Sequence, residues 1–200
     1  MPPPVACWSC AGPVAADALF CATCRVVQPP RAIDHFVRLG MPRGFVVDVR
    51  ELDRRYFALQ RQLHPDRFAT RSPRERAISQ SQAVSLNEAY EVLKAPLARA
   101  EYLLRLAGLA TADENTIRDP ELLMEQMERR ETLDSATRPA EVETCIGAAV
   151  ADVMAAESDI ASAFARGDAP AAAKGTLRLR YLQKLVDEAR ARHARLIAAD

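Results

Sequence analysis

The sequence predicts an all-α protein with a small cysteine-rich module at its N-terminus. Apolar residues recur at spacings of three and four over most of the chain after residue 30, which is the pattern of amphipathic helices. Capping residues and prolines recur where these patterns begin and end. Only 7 Gly and 6% aromatic residues occur in 200 residues, and this composition argues against a turn-rich all-β fold.

Net charge and hydropathy indicate which kinds of molecule the protein is not expected to bind and where it is located. The 27 basic and 27 acidic residues cancel, so the chain lacks the excess positive charge that favours binding to nucleic acid or a membrane. The charge is unevenly spread, with +3 over residues 34–95, −9 over 113–168 and +4 over 169–200, which indicates separate faces for separate partners. No apolar run approaches the roughly 18–20 residues of a membrane span, and the first residues show no targeting pattern. We therefore expect a cytoplasmic protein.

Four of the five cysteines lie in the first 24 residues, as the pairs Cys7/Cys10 and Cys21/Cys24. Each CxxC pair places two sulfurs on one tight turn, and the intervening loop allows the two turns to face each other around a tetrahedral ion. The pattern predicts a closed structural site for zinc, with iron as the alternative. Two unrelated redox motifs, or thiols in a disordered tail, are the competing interpretation. Cys145 lies alone in a later helical pattern and is expected to pack as a small apolar residue.

A proline-rich linker at residues 28–30 is predicted to precede the helices. A short helix at 35–39 comes first, and a longer helix begins after the cap Asp48. The longer helix must end near His64, because the residue before Pro65 disfavours helical geometry. Its buried face follows spacings of four, three and four residues: Leu52, Tyr56, Leu59 and Leu63.

The next helix is predicted to begin with a capping box formed by Ser72 and Glu75, and to end at Pro96. The two long helices should therefore form a hairpin. Their connection carries the tripeptide His64-Pro65-Asp66.

This tripeptide favours binding over catalysis. A rigid, exposed carboxylate beside an arginine-bearing helix can form charge-assisted hydrogen bonds to a partner, and the arginines at positions 50, 54 and 61 can steer an acidic surface toward it. No motif places a nucleophile near the histidine, so a catalytic pair is not expected. From composition alone, a solvated face is an equally good interpretation of the arginine stripe.

The order of these elements resembles the J-domain of DnaJ-type co-chaperones: a basic helix, the HPD tripeptide, and a helix that ends LNEAYEVL at residues 86–93. The resemblance implies that the tripeptide engages a DnaK-type ATPase chaperone and stimulates its ATP hydrolysis. The implied contact residues are His64, Pro65 and Asp66, with Arg54 and Arg61 as the basic contacts.

More specific segments follow the J-domain pattern. Residues 97–104 (LARAEYLL) and 122–131 (LLMEQMERRE) are similar to HscB, the J-domain co-chaperone family of iron–sulfur cluster assembly, and the resemblance covers about residues 33–198. It implies an L-shaped protein whose C-terminal three-helix bundle binds the scaffold protein IscU and presents it to the chaperone HscA. The tetracysteine segment resembles the one that precedes the J-domain of animal HscB. We expect a zinc-binding module at 1–28, the J-domain with its connecting helix at 32–107, and the scaffold-binding bundle at 113–200.

The C-terminal pattern predicts the bundle independently. Helices are expected at 121–136, 140–166 and 170–199, and their short connections imply antiparallel neighbours. The core stripe of the last helix is Leu182, Leu185, Ala189 and Leu196. In the first of these helices Leu122 and Leu133 point to one side, while other apolar residues point elsewhere.

By resemblance, these other residues belong to the scaffold-binding patch, which comprises Leu123, Met124, Met127 and Tyr181 with Glu128, Arg130 and Glu131 at its polar edge. From the pattern alone, an ordinary wider buried face is the alternative. Two residues depart from the family's pattern. Arg129 stands where HscB proteins often have an apolar residue, and Gly175 lies within the last helix.

We therefore expect a co-chaperone with no catalytic activity of its own, which stimulates a DnaK/HscA-type chaperone and delivers IscU to it for cluster transfer. Two other classes stay open. One is a general J-protein that delivers unfolded clients, and the other is a redox protein that uses iron at the tetracysteine site.

Overall fold

The structure, a computed structural model, describes residues 4–109 and 119–199, and most of these residues are helical. This confirms the predicted all-α class. The elements in chain order are β1 (Val5–Ala6), β2 (Pro13–Val14), α1 (His35–Arg38), α2 (Val49–Leu63), a 3-10 helix (Pro65–Phe68), α3 (Pro73–Lys94), α4 (Pro96–Leu106), α5 (Pro120–Ser135), α6 (Pro139–Ala165) and α7 (Ala169–Ala199).

The chain divides into two compact units, Met1–Ala98 and Arg99–Asp200. The first contains the cysteine module together with α1, α2 and α3, and the second contains most of α4 with α5, α6 and α7. Residues 113–118 of the predicted C-terminal domain lie outside the described residues. In the described part of the chain, no helix is both long enough and apolar enough to cross a membrane.

The α2–α3 hairpin forms as its sequence signals predict. The Asp48 side chain accepts hydrogen bonds from two backbone N–H groups of the first turn of α2, and the helix ends immediately before His64. The rings of Tyr56 and Tyr90 stack with centroids 3.9 Å apart, and the Tyr56 hydroxyl donates to Asn87 Oδ1 at 2.9 Å. These contacts fix one helix of the hairpin against the other.

In the second unit the three helices α5, α6 and α7 begin and end within one residue of the predicted bounds. The Asp168 side chain accepts from the backbone N–H of Ala171 at 3.0 Å and so caps the start of α7. Leu133, Val142 and Ala189 come from the three helices and are buried in one cluster, against which Cys145 packs. Cys145 is therefore part of an apolar core.

Candidate functional site

The four N-terminal cysteines lie around one point. All four sulfurs are within 4.8 Å of one another, and the pairs Cys7/Cys24 and Cys10/Cys21 have Sγ–Sγ distances of 3.7 Å. Sulfurs bound to one tetrahedral zinc ion at about 2.3 Å stand about 3.8 Å apart, so the observed spacing fits a tetrahedral metal ion. The residues present can bind a metal, and the donor set of four thiols leaves no position for water.

Each cysteine pair sits on the same kind of backbone turn. The N–H of Ala11 donates to the carbonyl of Cys7 at 3.0 Å, and the N–H of Arg25 donates to the carbonyl of Cys21 at 2.9 Å. Ala11 and Arg25 both have positive φ, 57° and 61°. These are left-handed conformations that favour glycine, and here they let the chain reverse directly after the second cysteine of each pair.

The turns stabilise negative charge on the first cysteine of each pair. Burial raises the pKa of the Cys7 thiol, but hydrogen bonds from the backbone of Cys10 and Ser9 help to lower it to about 6. The backbone of Cys24 lowers the pKa of Cys21. Backbone N–H groups that point at a sulfur favour its thiolate, which is the form that binds a metal.

Cys10, the second cysteine of the first pair, keeps its proton. The backbone N–H of Gly12 lowers the pKa of Cys10, but the neighbouring sulfurs of Cys24 and Cys21, with desolvation, raise it to about 12. Sulfurs this close cannot all ionise unless a cation lies between them. Binding of a metal ion at this site would therefore release protons.

Buried polar contacts join the cysteine module to the α2–α3 hairpin. The Gln28 side-chain amide donates to Cys7 Sγ at 3.3 Å, and the Gln28 carbonyl accepts from Gln82 Nε2 of α3 at 2.7 Å. Both glutamines are buried. The Trp8 indole donates to the Val27 carbonyl at 2.7 Å, and the guanidinium of Arg74 lies 4.3 Å from the Trp8 ring centroid. Gln28, which the proline-rich pattern places in a linker, therefore belongs to this contact.

The HPD turn is exposed but firmly anchored. The side chains of His64 and Asp66 are 51% and 90% exposed. The backbone on each side is fixed by the buried residues Leu63 and Phe68, and the Ser79 hydroxyl of α3 donates to the Leu63 carbonyl at 2.7 Å. The turn therefore presents its imidazole and carboxylate from a fixed backbone.

Within the turn, His64 and Asp66 also interact with each other. His64 Nδ1 lies 3.3 Å from the backbone N of Asp66 and 3.5 Å from its Oδ2. The neutral ring accepts from the N–H, while the protonated ring donates to the carboxylate. Either arrangement holds the imidazole close to the 3-10 helix and leaves most of the carboxylate in solvent.

The two predicted arginine contacts of α2 are both exposed. Arg54 Nε donates to Glu51 at 3.0 Å, so its charge is partly balanced on its own helix. Arg61 forms no ion pair with any residue that the structure describes, and its carbonyl accepts from Arg67 at 3.2 Å. Arg61 lies next to the turn, and its positive charge is therefore available to a partner.

The six candidate patch residues on α5 all lie on its exposed face: Leu123, Met124, Met127, Glu128, Arg130 and Glu131. Leu123, Met124 and Met127 are 44%, 63% and 56% exposed, whereas Leu122 and Leu133 are buried on the opposite face. The prediction that α5 has apolar residues on two sides is confirmed. An exposed apolar face of this kind is typical of a surface that binds another protein.

Tyr181 lies on a different helix from the other candidate patch residues. It is half-buried on α7 and lines a shallow pocket with Gln126 and Arg130 of α5. Arg130 also pairs with Glu188 at 3.1 Å. Tyr181 therefore adjoins the exposed face of α5 at its Arg130 edge.

The two residues that depart from the family's pattern both have structural roles. Half-buried Arg129 pairs with Asp152 of α6 and, at 2.8 Å, with Glu125 of its own helix. A Cβ atom at Gly175 would lie 2.9 Å from Cγ1 of Ile160. Arg129 thus joins two helices by charge, and Gly175 allows α6 and α7 to approach closely.

Comparison with known proteins is consistent with this architecture. The model of the HSCB C-terminal oligomerisation domain matches residues 118–190. A co-chaperone protein HscB homolog of Vibrio cholerae is 38% identical over 161 residues, which cover 78% of this chain and 94% of the relative. The chain belongs to the HscB co-chaperone family. HscB proteins form the co-chaperone family of iron–sulfur cluster assembly.

Two solved HscB structures are similar to this structure over most of the chain. The crystal structure of human co-chaperone protein HscB is 32% identical, with a TM-score of 0.89 over 94% of this chain and 98% of that one. HscB from Vibrio cholerae is 35% identical, with a TM-score of 0.74 over 82% of this chain and 99% of that one. The human match leaves only about 12 residues uncovered, so it includes much of the cysteine module of this HscB protein.

The sequence interpretation missed the residues that position the two candidate sites. Ser79 and Gln82 of α3 are polar, and both are buried. Ser79 holds the HPD turn, and Gln82 holds the cysteine module. A signal for them exists in the sequence. They continue, at helical spacing, the buried stripe of Leu86, Ala89 and Leu93.

Proposed function

We propose that this HscB protein stimulates the ATPase of a DnaK/HscA-type chaperone through its HPD turn, and delivers an IscU-type scaffold protein to that chaperone for cluster transfer. It catalyses no reaction itself and acts in the cytoplasm. The observation that carries the proposal is the turn at His64, Pro65 and Asp66, which is exposed at its side chains and fixed at its backbone.

The chaperone contact is supported by the charges around the turn. The Asp66 carboxylate is almost wholly exposed and can accept a charge-assisted hydrogen bond from a partner arginine. Arg54 and Arg61 lie on the helix that leads into the turn and favour an acidic partner surface. A fixed turn adds to affinity because little conformational freedom is lost on binding.

The scaffold contact is supported by the exposed face of α5. This face exposes the apolar side chains of Leu123, Met124 and Met127, and their exposure does not stabilise the folded chain. Tyr181 adjoins this face. Methionine side chains adapt to a partner surface, and the acidic rim at Glu128 and Glu131 favours a basic one.

The metal is proposed to be one zinc ion held by Cys7, Cys10, Cys21 and Cys24. It supplies a structural crosslink for a segment too small to build a core of its own. Iron is the alternative occupant, and a ferric tetrathiolate centre would absorb visible light whereas zinc would not.

The chaperone part of the proposal is tested in an ATPase assay with purified HscA-type chaperone. Asp66→Asn should abolish stimulation, because a lost charge-assisted contact costs about 1.5–3 kcal/mol at the interface. Asp187→Asn, on the exposed surface of α7, is the control and should stimulate normally. Full stimulation by the Asp66 variant would contradict the proposal.

The scaffold part is tested by binding of folded IscU. Replacing Leu123, Met124 and Tyr181 together by Ala should weaken binding by about a hundredfold, or about 2.8 kcal/mol, while stimulation of the bare ATPase persists. Met154→Ala is the control, because this α6 methionine is 68% exposed and outside the patch. A folded triple variant that binds IscU normally would favour a general J-protein.

A further inference from the structure

A cleft of about 320 Å³ separates the second cysteine turn from the end of the HPD segment. One wall comes from Phe20, Cys24 and Arg25 of the cysteine module. The other comes from Arg67 and Arg71, which follow the HPD turn. Both walls belong to the same compact unit, so the cleft is a feature of one packed body.

The cleft is basic. None of Arg25, Arg67 and Arg71 forms an ion pair with any residue in the described ranges 4–109 and 119–199, and all three are exposed. Glu75 also lines the cleft, but its carboxylate accepts from the Ser72 hydroxyl at 2.8 Å in the capping box of α3. Glu75 is engaged within its own helix, and a zinc tetrathiolate centre would place negative charge at Cys24 on the wall of the cysteine module. The opposite wall, with Arg67 and Arg71, is therefore the part that favours an acidic partner most strongly, and Arg25 adds a third positive charge to the lining of the cleft.

The cleft is continuous with the HPD turn. Arg67 follows Asp66 directly in the 3-10 helix, and its guanidinium donates to the Arg61 carbonyl at 3.2 Å. A partner that contacts Asp66 therefore lies next to Arg67, which lines the cleft. The arginine of the cysteine module lies across the cleft from that helix.

We propose that the cysteine module is part of the chaperone-docking surface: Arg25, with Arg67 and Arg71, receives an acidic segment of the ATPase chaperone that the HPD turn engages. The proposal rests on the proposed function and gives the module a role in binding beyond folding. Metal binding matters to it because the ion fixes the turn that carries Arg25.

The backbone of Arg25 provides a test that does not depend on loss of folding. Its φ of 61° is a conformation in which glycine is favoured, so Arg25→Gly removes the charge and relieves the turn at the same time. Ala11 occupies the equivalent position of the first turn with φ 57°. Ala11→Gly therefore makes the same backbone change without any change in charge, and it is the matched control.

The experiment titrates each full-length variant into an HscA-type chaperone with ATP and measures the concentration that gives half-maximal stimulation. Arg25→Gly should raise this concentration about three- to tenfold, with a smaller dependence on salt, because one charged contact is lost. Ala11→Gly should leave it unchanged, and Arg25→Lys should restore most of the effect because the charge returns. Each protein should retain one equivalent of metal.

Three results would overturn the proposal. An Arg25→Gly variant that stimulates like the parent, beside an inactive Asp66→Asn variant, would sink the docking role and leave the proposed function intact. Normal stimulation by Asp66→Asn as well would remove both. Loss of metal from Arg25→Gly would mean that the arginine instead balances the negative charge of the tetrathiolate centre.

Discussion

The main-chain carbonyl of Gln28 accepts a 2.7 Å hydrogen bond from the side-chain amide of Gln82, and both residues are buried. The same Gln28 donates through its own amide to the sulfur of Cys7 at 3.3 Å. One residue thus connects a cysteine of the candidate metal site to the middle of α3. The stability of the cysteine module and that of the J-domain hairpin should therefore be coupled.

Gln82→Ala should lower the free energy of unfolding of the first unit by about 1–3 kcal/mol, because it leaves the buried Gln28 carbonyl without a donor. Gln80→Ala, two residues earlier on the exposed side of α3, is the control and should change little. Urea unfolding with and without a zinc chelator measures both effects. If the Gln82 variant responds to the chelator as strongly as the parent, the coupling through Gln28 is refuted.

Cys21→Ser should abolish metal binding and unfold the cysteine module, because the ion supplies most of its folding energy. Cys145→Ser should leave the metal content unchanged, since Cys145 packs in the bundle core. Elemental analysis of protein purified under reducing conditions should find about one equivalent of zinc in the parent. Less than about half an equivalent of any metal would argue against the site.

Glu125 should contribute to stability in a pH-dependent way. Hydrogen bonds from Arg178 and then Arg129 lower its pKa, so its contribution is complete above the ordinary carboxyl pKa and is lost as the pH falls through the lowered value. Glu125→Gln should cost about 1–2 kcal/mol of unfolding free energy at neutral pH and progressively less in acid. Glu143→Gln, on an exposed position of α6, is the control. A cost that stays constant from neutral pH to about pH 3 would contradict this role.

The two helix glycines of the bundle should respond in opposite directions to alanine. Gly175→Ala should destabilise by about 1–3 kcal/mol, less any gain in helix propensity, because its Cβ would lie 2.9 Å from buried Ile160. Gly147→Ala should stabilise by up to about 1 kcal/mol, since nothing lies within 4 Å of the added atom. Thermal unfolding distinguishes them. Equal shifts of the two variants would mean that α6 and α7 are not packed closely at Gly175.

The helices could be predicted because their signals are local. The Ser72/Glu75 capping box is present with both of its hydrogen bonds, and α2 ends where Pro65 requires. The four cysteines converge as their spacing predicts, since each CxxC pair needs only one tight turn. In each case the residues that decide the structure lie in one short stretch of the chain, and even Cys7 and Cys24 are only 17 positions apart.

Contacts between distant segments could not be predicted in this way. Gln28 stands before two prolines, a pattern that predicts a linker, but its carbonyl accepts a hydrogen bond from a side chain 54 residues later. From sequence alone, Arg129 and Gly175 are unfavourable in a helical bundle. In the structure Arg129 pairs with Asp152, and Gly175 makes room for Ile160. Each of these roles depends on a partner that only the packed chain supplies.

The hydrogen bond from Ser79 to the Leu63 carbonyl has a consequence for how the HPD turn works. It spans 16 residues, so the turn owes its orientation to α3 as much as to its own sequence. Folding of the protein already restricts the conformations of this segment. Binding of a partner therefore costs little further conformational entropy there. Under the proposed function, a change at Ser79 would therefore weaken chaperone binding indirectly, because Ser79 is buried and lies outside the proposed contact surface.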